Sequence, residues 1–295
     1  MRAPPLALPA VAAAPRLDPW LQVVILGIVE GLTEFLPISS TGHLLVASRA
    51  LRFEGSIGGT FEIFIQLGAV LAVVGYYFRD LWDQARAVLG APGERSKTEP
   101  RGARRFWLNV LLAFLPAAAI GLALHRWIKA ALFAPGVIAA TLVVGGVIFI
   151  VLERGRLGRR QPTVDDVLHV SWRQAVAIGG AQLLALVPGV SRSGASIVGG
   201  LLVGLDRRTA TAFSFYLAIP TLGGATVVDL LQSVKLLGPG DLQRLAVGAG
   251  VSLVVAWLSI GWLLRYVSRR SFIPFGIYRI VAGAAVAGAI LCRWL

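Results

Sequence analysis

Apolar runs of bilayer length constrain this chain more than any other feature. Residues 106–124, 137–152, 242–264 and 275–291 are each close to the ~20 apolar residues that a helix needs to cross hydrocarbon. The whole chain of 295 residues is 56% hydrophobic and only 15% charged, well under the roughly 25% charge of soluble domains. Such a chain is a polytopic α-helical membrane protein. Its 34 glycines point to closely packed or broken helices, because small residues let helix backbones approach.

The net charge of +13 does not indicate a nucleic-acid binder. The basic residues fall mainly in the connections between spans, as the positive-inside bias expects, without the interleaved aromatics of single-strand binders. Cys292 stands alone, which excludes an internal disulfide and a cysteine-based metal cluster. The first 19 residues are read as a flexible tail, since prolines interrupt their apolar stretch and make a poor signal-peptide core.

Spans are expected near 61–79, 106–125, 136–152, 209–231, 242–265 and 275–293, with broken helix pairs at 20–51 and 174–205. The basic connections 79–105, 153–173 and 265–270 fall on one side only if each broken pair enters and leaves by the same face. The expected fold is therefore all-α, with six transmembrane helices and two re-entrant helix pairs in one membrane domain, 20–295. The basic loops would be cytoplasmic and both termini outside. The halves, about 20–152 and 172–295, match at an offset of 152: Glu30 with Gln182, Ser40-Thr41-Gly42 with Arg192-Ser193-Gly194, Glu54 with Asp206, Phe61 with Phe213. With opposite entry faces this is an inverted-topology repeat, in which discontinuous helices build a site near the midplane.

The polar chemistry sits in those breaks. An ionisable group in hydrocarbon costs about 2.5–3.5 kcal/mol even on an insertion scale, so Glu30, Glu34 and Arg192 call for a function. Glu30 and Glu34 are spaced i, i+4 and share a helix face. Such a pair can hold a hard divalent cation, or divide base and metal roles. Pro37 stops the helix. Ser39, Ser40, Thr41 and Gly42 then open a second half-helix, whose free amides and positive dipole end suit phosphate. Ser40 is the candidate nucleophile, Ser39 and Thr41 candidate phosphate donors. His43, one turn on, has the near-neutral pKa of a proton-transfer group; its alternative is a polar helix residue bonded to a carbonyl. In the second break Arg192 offers a planar fork to phosphate oxygens, with Ser191, Ser193 and the amides after Gly194 completing a cradle. The alternative for Arg192 is a structural pairing with Glu30 or Glu34. Glu62, Gln66 and Ser214 fall beside the breaks. Arg279 is expected to snorkel at the cytoplasmic end, His125 and His169 to be interfacial, and Asp165 and Asp166 to lie in a solvated loop.

EGLTEFLPISSTGHL and PGVSRSGASI, in this order and about 150 residues apart, closely resemble the undecaprenyl-diphosphate phosphatases of the bacitracin-resistance (BacA) family. FEIFIQLGAVLAV, WRQAVAIGGAQ, FSFYLAIP and SFIPFGIYR are similar to it as well, so the resemblance covers roughly residues 20–295. It implies an integral enzyme of the bacterial inner membrane that hydrolyses undecaprenyl diphosphate to the monophosphate carrier of cell-wall synthesis. It also implies a divalent cation, Mg²⁺ or Ca²⁺, and a site open to the periplasm. By that resemblance Glu30 and Glu34 are metal or base residues, Ser40 the proposed nucleophile, His43 an assisting residue and Arg192 a phosphate ligand. Covalent phosphoserine and direct water attack stay open. A transporter or flippase for a lipid phosphate or another anion is the rival reading, since broken helices in inverted repeats are a carrier architecture. Glycine-rich spans allow a homodimer.

Overall fold

The computed structural model describes residues 17–53, 60–90, 99–155, 161–233 and 239–295. Most of the tail 1–19, Glu54, and the basic residues at 95, 97, 156, 159 and 160 lie outside them. Among the described residues the chain is built from helices, with a lone parallel bridge between Val164 and Leu205. In chain order they are α1 (Pro19–Thr33), α2 (Ser40–Leu51), α3 (Thr60–Tyr76), α4 (Phe78–Val88), α5 (Pro100–Leu132) and α6 (Pro135–Arg154), then α7 (Trp172–Gln182), α8 (Arg192–Leu202), α9 (Arg207–Ser233), α10 (Pro239–Val267) and α11 (Ile273–Leu291). Five of them (α5, α6, α9, α10, α11) are long and apolar enough to cross a membrane, and a sixth crossing follows if α3 and α4 count together. The protein is an all-α polytopic membrane protein.

The expected span at 61–79 ends early. The chain bends by 71° between α3 and α4, so part of the connection expected at 79–105 is an amphipathic helix. Its Asp80, Asp83 and Arg86 keep it out of hydrocarbon, while Phe78 and Trp82 are exposed and stacked on each other. That pattern suits a helix lying at an interface.

Both broken pairs form where the sequence places them. Asp18 caps α1 through the amides of Trp20 and Leu21, with Pro19 at the first helical position. The helix stops at Thr33, four residues ahead of Pro37. In the second pair, Ser171 and Gln174 make a reciprocal capping box at the start of α7. A single 3₁₀ turn, Leu183–Leu186, then leads into the break.

Similar backbone conformations recur at one offset. Ser39 and Ser191, the residues that precede α2 and α8, both take φ 73, and Arg52 and Gly204 take φ 50 and 95 after the same helices. Each pair is separated by 152 residues, the offset of the sequence match. The halves interlock as well: α1 packs on α10 and α7 on α5, so each broken pair leans on a long helix from the other half.

Two features hold the breaks at the centre. Helices α6 and α11 touch along glycines: a Cβ on Gly146 would come within 2.5 Å of the Gly276 carbonyl, and one on Gly276 within 2.8 Å of the Gly146 carbonyl. At one end of that pair, Glu153 takes a two-pronged bond from Arg207 (2.9 and 2.6 Å) and accepts the Phe272 amide at 3.1 Å. This ties α6, α9 and α11 together. The main apolar core fills the space beside the breaks, with Phe35 edge-on to Phe215 at 5.2 Å.

Candidate active site at the two helix breaks

Glu34 follows the last residue of α1 and stays in helical conformation, its amide bonded to the Glu30 carbonyl at 2.9 Å. The two carboxylates therefore keep the shared face that their spacing predicts. Both are buried. The chain then turns through Phe35–Ile38, and this turn brings Ser40 back to Glu34: Ser40 Oγ donates to Glu34 Oε2 at 2.6 Å. The other oxygen, Oε1, faces Arg192 of the second break at 3.4 Å, and both side chains are buried, at 8% and 6% exposure. One carboxylate thus joins a hydroxyl of the first break to the guanidinium of the second.

Arg192 is held from behind. Its Nη1 donates to the Ser214 carbonyl at 2.9 Å, and the guanidinium lies 5.9 Å from the centre of the Phe35 ring. Ser214, expected near the site, is there because α9 runs beside α8, and Ser196 sits 2.7 Å from its hydroxyl. The serines flanking Arg192 bind the breaks together. Gly194 N–H donates to Ser191 Oγ at 3.1 Å, and Ser193 Oγ donates to the Leu36 carbonyl at 3.1 Å. With the Ser193 proton committed, Ser191 is the donor in the 3.0 Å contact between the two hydroxyls.

The amide end of α2 is left differently from that of α8. Ser39 makes no side-chain cap, so the amides of Ser40, Thr41 and Gly42 face the break uncapped by any side chain. Among the described residues the hydroxyls of Ser39 and Thr41 take part in no hydrogen bond. These are donors available to an anion.

His43 is not on Ser40. Its Nδ1 lies 2.7 Å from the Ser39 carbonyl and its Nε2 2.7 Å from the Tyr278 hydroxyl. Because a carbonyl only accepts, the proton sits on Nδ1 and Tyr278 donates to Nε2. The ring also stacks parallel to Tyr278 at 5.5 Å. Tyr278 was not foreseen; no spacing in the sequence links it to His43, 235 residues away.

Arg279 overturns its expected role. It does not snorkel: it is completely buried. Nη1 donates to the Pro37 carbonyl at 3.2 Å, and Nη2 to the carbonyls of Gly189 and Thr141 at 3.0 and 3.1 Å. Pro37 and Gly189 are 152 residues apart, so one guanidinium grips the same position in both breaks. A Cβ on Gly145 would overlap the guanidinium, which explains a glycine there. Only the fold brings these carbonyls to α11, and the apolar surroundings in sequence gave no sign of them.

Several polar atoms at the centre have no partner among the described residues: both oxygens of Glu30 and Nε of Arg192. Glu34, Glu62 and Arg192 are within electrostatic reach of Glu30. Unsatisfied buried polar groups are rare in native proteins and call for an explanation. Here an orphan pair of anionic acceptors from the first broken pair and an orphan cationic donor from the second lie at the centre. A cation against Glu30 and an anion against Arg192 would satisfy both. The donor set fits a hard divalent ion of the Mg²⁺ or Ca²⁺ type, which takes one or two carboxylates and fills its other positions with water and phosphate oxygens.

Proteins similar to this chain are named for action on a diphosphate. The family described as bacitracin resistance protein BacA matches residues 23–285. The undecaprenyl-diphosphatase of Albidiferax ferrireducens is 48% identical over 269 residues, which cover 90% of this chain and 93% of that protein. The undecaprenyl-diphosphatase of Deinococcus radiodurans is 47% identical over 270 residues, 90% and 94% of the two chains. That of Acidovorax ebreus is 48% identical over 268 residues, 90% and 93%.

Proposed function

The chain belongs to the bacitracin resistance protein BacA family, and from that premise we propose how its two breaks act as one phosphatase site. The protein is an undecaprenyl-diphosphatase: it hydrolyses undecaprenyl diphosphate to undecaprenyl phosphate and inorganic phosphate, which returns the lipid carrier for cell-wall synthesis. The substrate has a highly charged head and a long apolar tail. An anion cradle between half-helices inside a bilayer protein meets both needs.

In our reading the diphosphate lies against the uncapped amides of α2, the hydroxyls of Ser39 and Thr41, and the Arg192 guanidinium. The observation that carries the reading is the 2.6 Å bond from Ser40 Oγ to Glu34 Oε2, with Arg192 on the opposite carboxylate oxygen. It sets a hydroxyl against a proton acceptor, beside the guanidinium that this reading gives to phosphate. As the hydroxyl, or a water in its place, attacks the terminal phosphorus, Glu34 takes the proton; where Ser40 attacks, a water then hydrolyses the phosphoserine, which frees inorganic phosphate and restores the hydroxyl. Arg192 neutralises charge building on the phosphoryl oxygens. The P–O bond to the leaving lipid monophosphate breaks in line. His43, with Nε2 on Tyr278, orients the backbone of Ser39 in this scheme. A divalent cation held by Glu30 and Glu34 would add charge neutralisation on the phosphates.

The finer placement belongs to the same proposal. The site opens to the periplasm from a bacterial inner membrane, with the basic loops cytoplasmic, and the halves are related as inverted repeats. The shared offset of 152 in sequence and backbone supports the repeat. A homodimer is our expectation for the oligomer; Gly75, Gly250 and Gly288, whose Cβ positions meet nothing within 4 Å, leave room for a second copy. Transport alone would have no need of Ser40 against Glu34.

The test is phosphate release from C15 and C55 polyprenyl diphosphates by purified protein with Mg²⁺, with Ca²⁺ and with chelator. Release should depend on the cation and collapse in Glu34→Gln, Ser40→Ala and Arg192→Ala proteins that remain folded. Full activity of folded Ser40→Ala would remove the hydroxyl from the reaction. Rapid-quench trapping with labelled substrate distinguishes phosphoserine from direct water attack.

A further inference from the structure

Helix α2 connects the active site to a second polar cavity that the reaction does not use. From Ser40 the helix runs to Leu51, about 18 Å at 1.5 Å per residue. At that far end lies a cavity of about 680 Å³ whose lining includes Ser48, Arg49, Arg52, Phe53, Arg293 and Trp294. Among the described residues no carboxylate lines it, and none of the three arginines is in an ion pair. Arg49 Nε donates to the Trp294 carbonyl at 3.2 Å, which ties α2 to the residues after α11 beside the cavity.

Two of these arginines occupy unfavourable backbone. Arg52 has φ 50 and Arg293 φ 54, in the left-handed region where glycine is the usual helix terminator. The repeat counterpart of Arg52 is Gly204. The backbone conformation alone would favour glycine at both positions, and like charges around one cavity repel. The Ser48 hydroxyl is also buried without a hydrogen-bond partner. A strained backbone, three guanidiniums without a carboxylate partner among the described residues and an orphan hydroxyl converge on the same space.

We propose that this cavity is a second anion site, which binds a phosphoryl group. Guanidinium forks match phosphate oxygens in pairs, and Ser48 supplies a further donor. Phe53 and Trp294 give the rim the aromatic character found where a headgroup meets hydrocarbon. A lipid phosphate and free inorganic phosphate present the same chemistry to these residues, and both are at hand during the reaction.

The test uses the Arg52→Gly/Arg293→Gly double variant, because glycine suits both backbone positions and the fold is not put at risk. It is crossed with Arg192→Ala, which disables the central cradle. Bound farnesyl phosphate is counted by native mass spectrometry, and inorganic phosphate is measured by equilibrium dialysis. We expect two farnesyl phosphates on the wild type, one on each variant, and none on the combination. The affinity of the outer site should fall at least tenfold in the double variant, with unchanged or higher thermal stability. Retention of inorganic phosphate by the Arg192→Ala protein identifies free phosphate as a ligand; retention of farnesyl phosphate alone identifies a lipid headgroup. Equal binding of both probes with and without the two glycines overturns the proposal. Failure of Arg192→Ala to remove an occupancy bears on the central cradle only.

Discussion

The pairing of Glu34 with Arg192 should be measurable as a coupling energy, independent of catalysis. At 3.4 Å and an effective dielectric of about 20, the attraction is about 5 kcal/mol. Removing one member of a buried pair typically costs about 3–5 kcal/mol, because the survivor is left uncompensated. Glu34→Gln preserves the shape of the side chain and an acceptor for Ser40, so it isolates the charge. Glu30 remains within electrostatic reach of Arg192, which places the loss for Glu34→Gln near the lower bound, about 3 kcal/mol. Arg192→Met leaves Glu34 buried with only Ser40 for company, and the loss should be about 4 kcal/mol. The double variant carries no orphan charge from the pair and should lose no more than the worse single. The coupling is then at least about 3 kcal/mol, well above the ~0.5 kcal/mol scatter of additivity. Reversible unfolding in mixed micelles of the four proteins gives the number. A coupling under about 0.5 kcal/mol would refute the arrangement, because it would mean that the two breaks do not share this ion pair.

Arg279→Lys keeps the charge but cannot span the Pro37 and Gly189 carbonyls with one fork; with about 1–3 kcal/mol at stake for each buried carbonyl left unpaired, a clearly lower melting temperature is expected, and wild-type melting would count against the grip. Gly146→Ala drives a Cβ to 2.5 Å from the Gly276 carbonyl and should destabilise the protein by about 1–3 kcal/mol. Gly180→Ala, with nothing within 4 Å, serves as the neutral control, and equal melting of the two variants would contradict the close approach of α6 and α11. Tyr278→Phe removes the 2.7 Å bond to His43 Nε2; a loss of about 1 kcal/mol should appear as roughly fivefold lower kcat at little-changed KM, while an unchanged kcat would show that ring orientation is immaterial. Chelation should abolish phosphate release and leave the helical circular dichroism intact, whereas loss of helix on chelation would make the metal structural.

The membrane class and both helix breaks were legible in the sequence, and the residues proposed for the chemistry stood out there, because each rests on local rules. Apolar run length reports a span, and an i, i+4 carboxylate pair reports a shared face. Serines after a proline report a new helix start. The same rules offered two parts to His43 and two to Arg192. Tertiary contacts decided where they point: His43 to a backbone carbonyl and Tyr278, and Arg192 to Glu34 with the Ser214 carbonyl behind it. Arg279 shows the limit most clearly. In sequence it is one arginine at the start of an apolar helix, as a snorkelling residue would be. Its actual partners are carbonyls, and every residue carries one of those. No pattern of side chains could say which carbonyls the bends at Pro37 and Gly189 would leave free. The sequence by itself determined which residues are costly in a bilayer and where helices must stop. The packing of α6 against α11, and of each broken pair against the other half, decided which of those residues meet. Such meetings depend on distances between segments up to 242 residues apart, which local preferences do not encode.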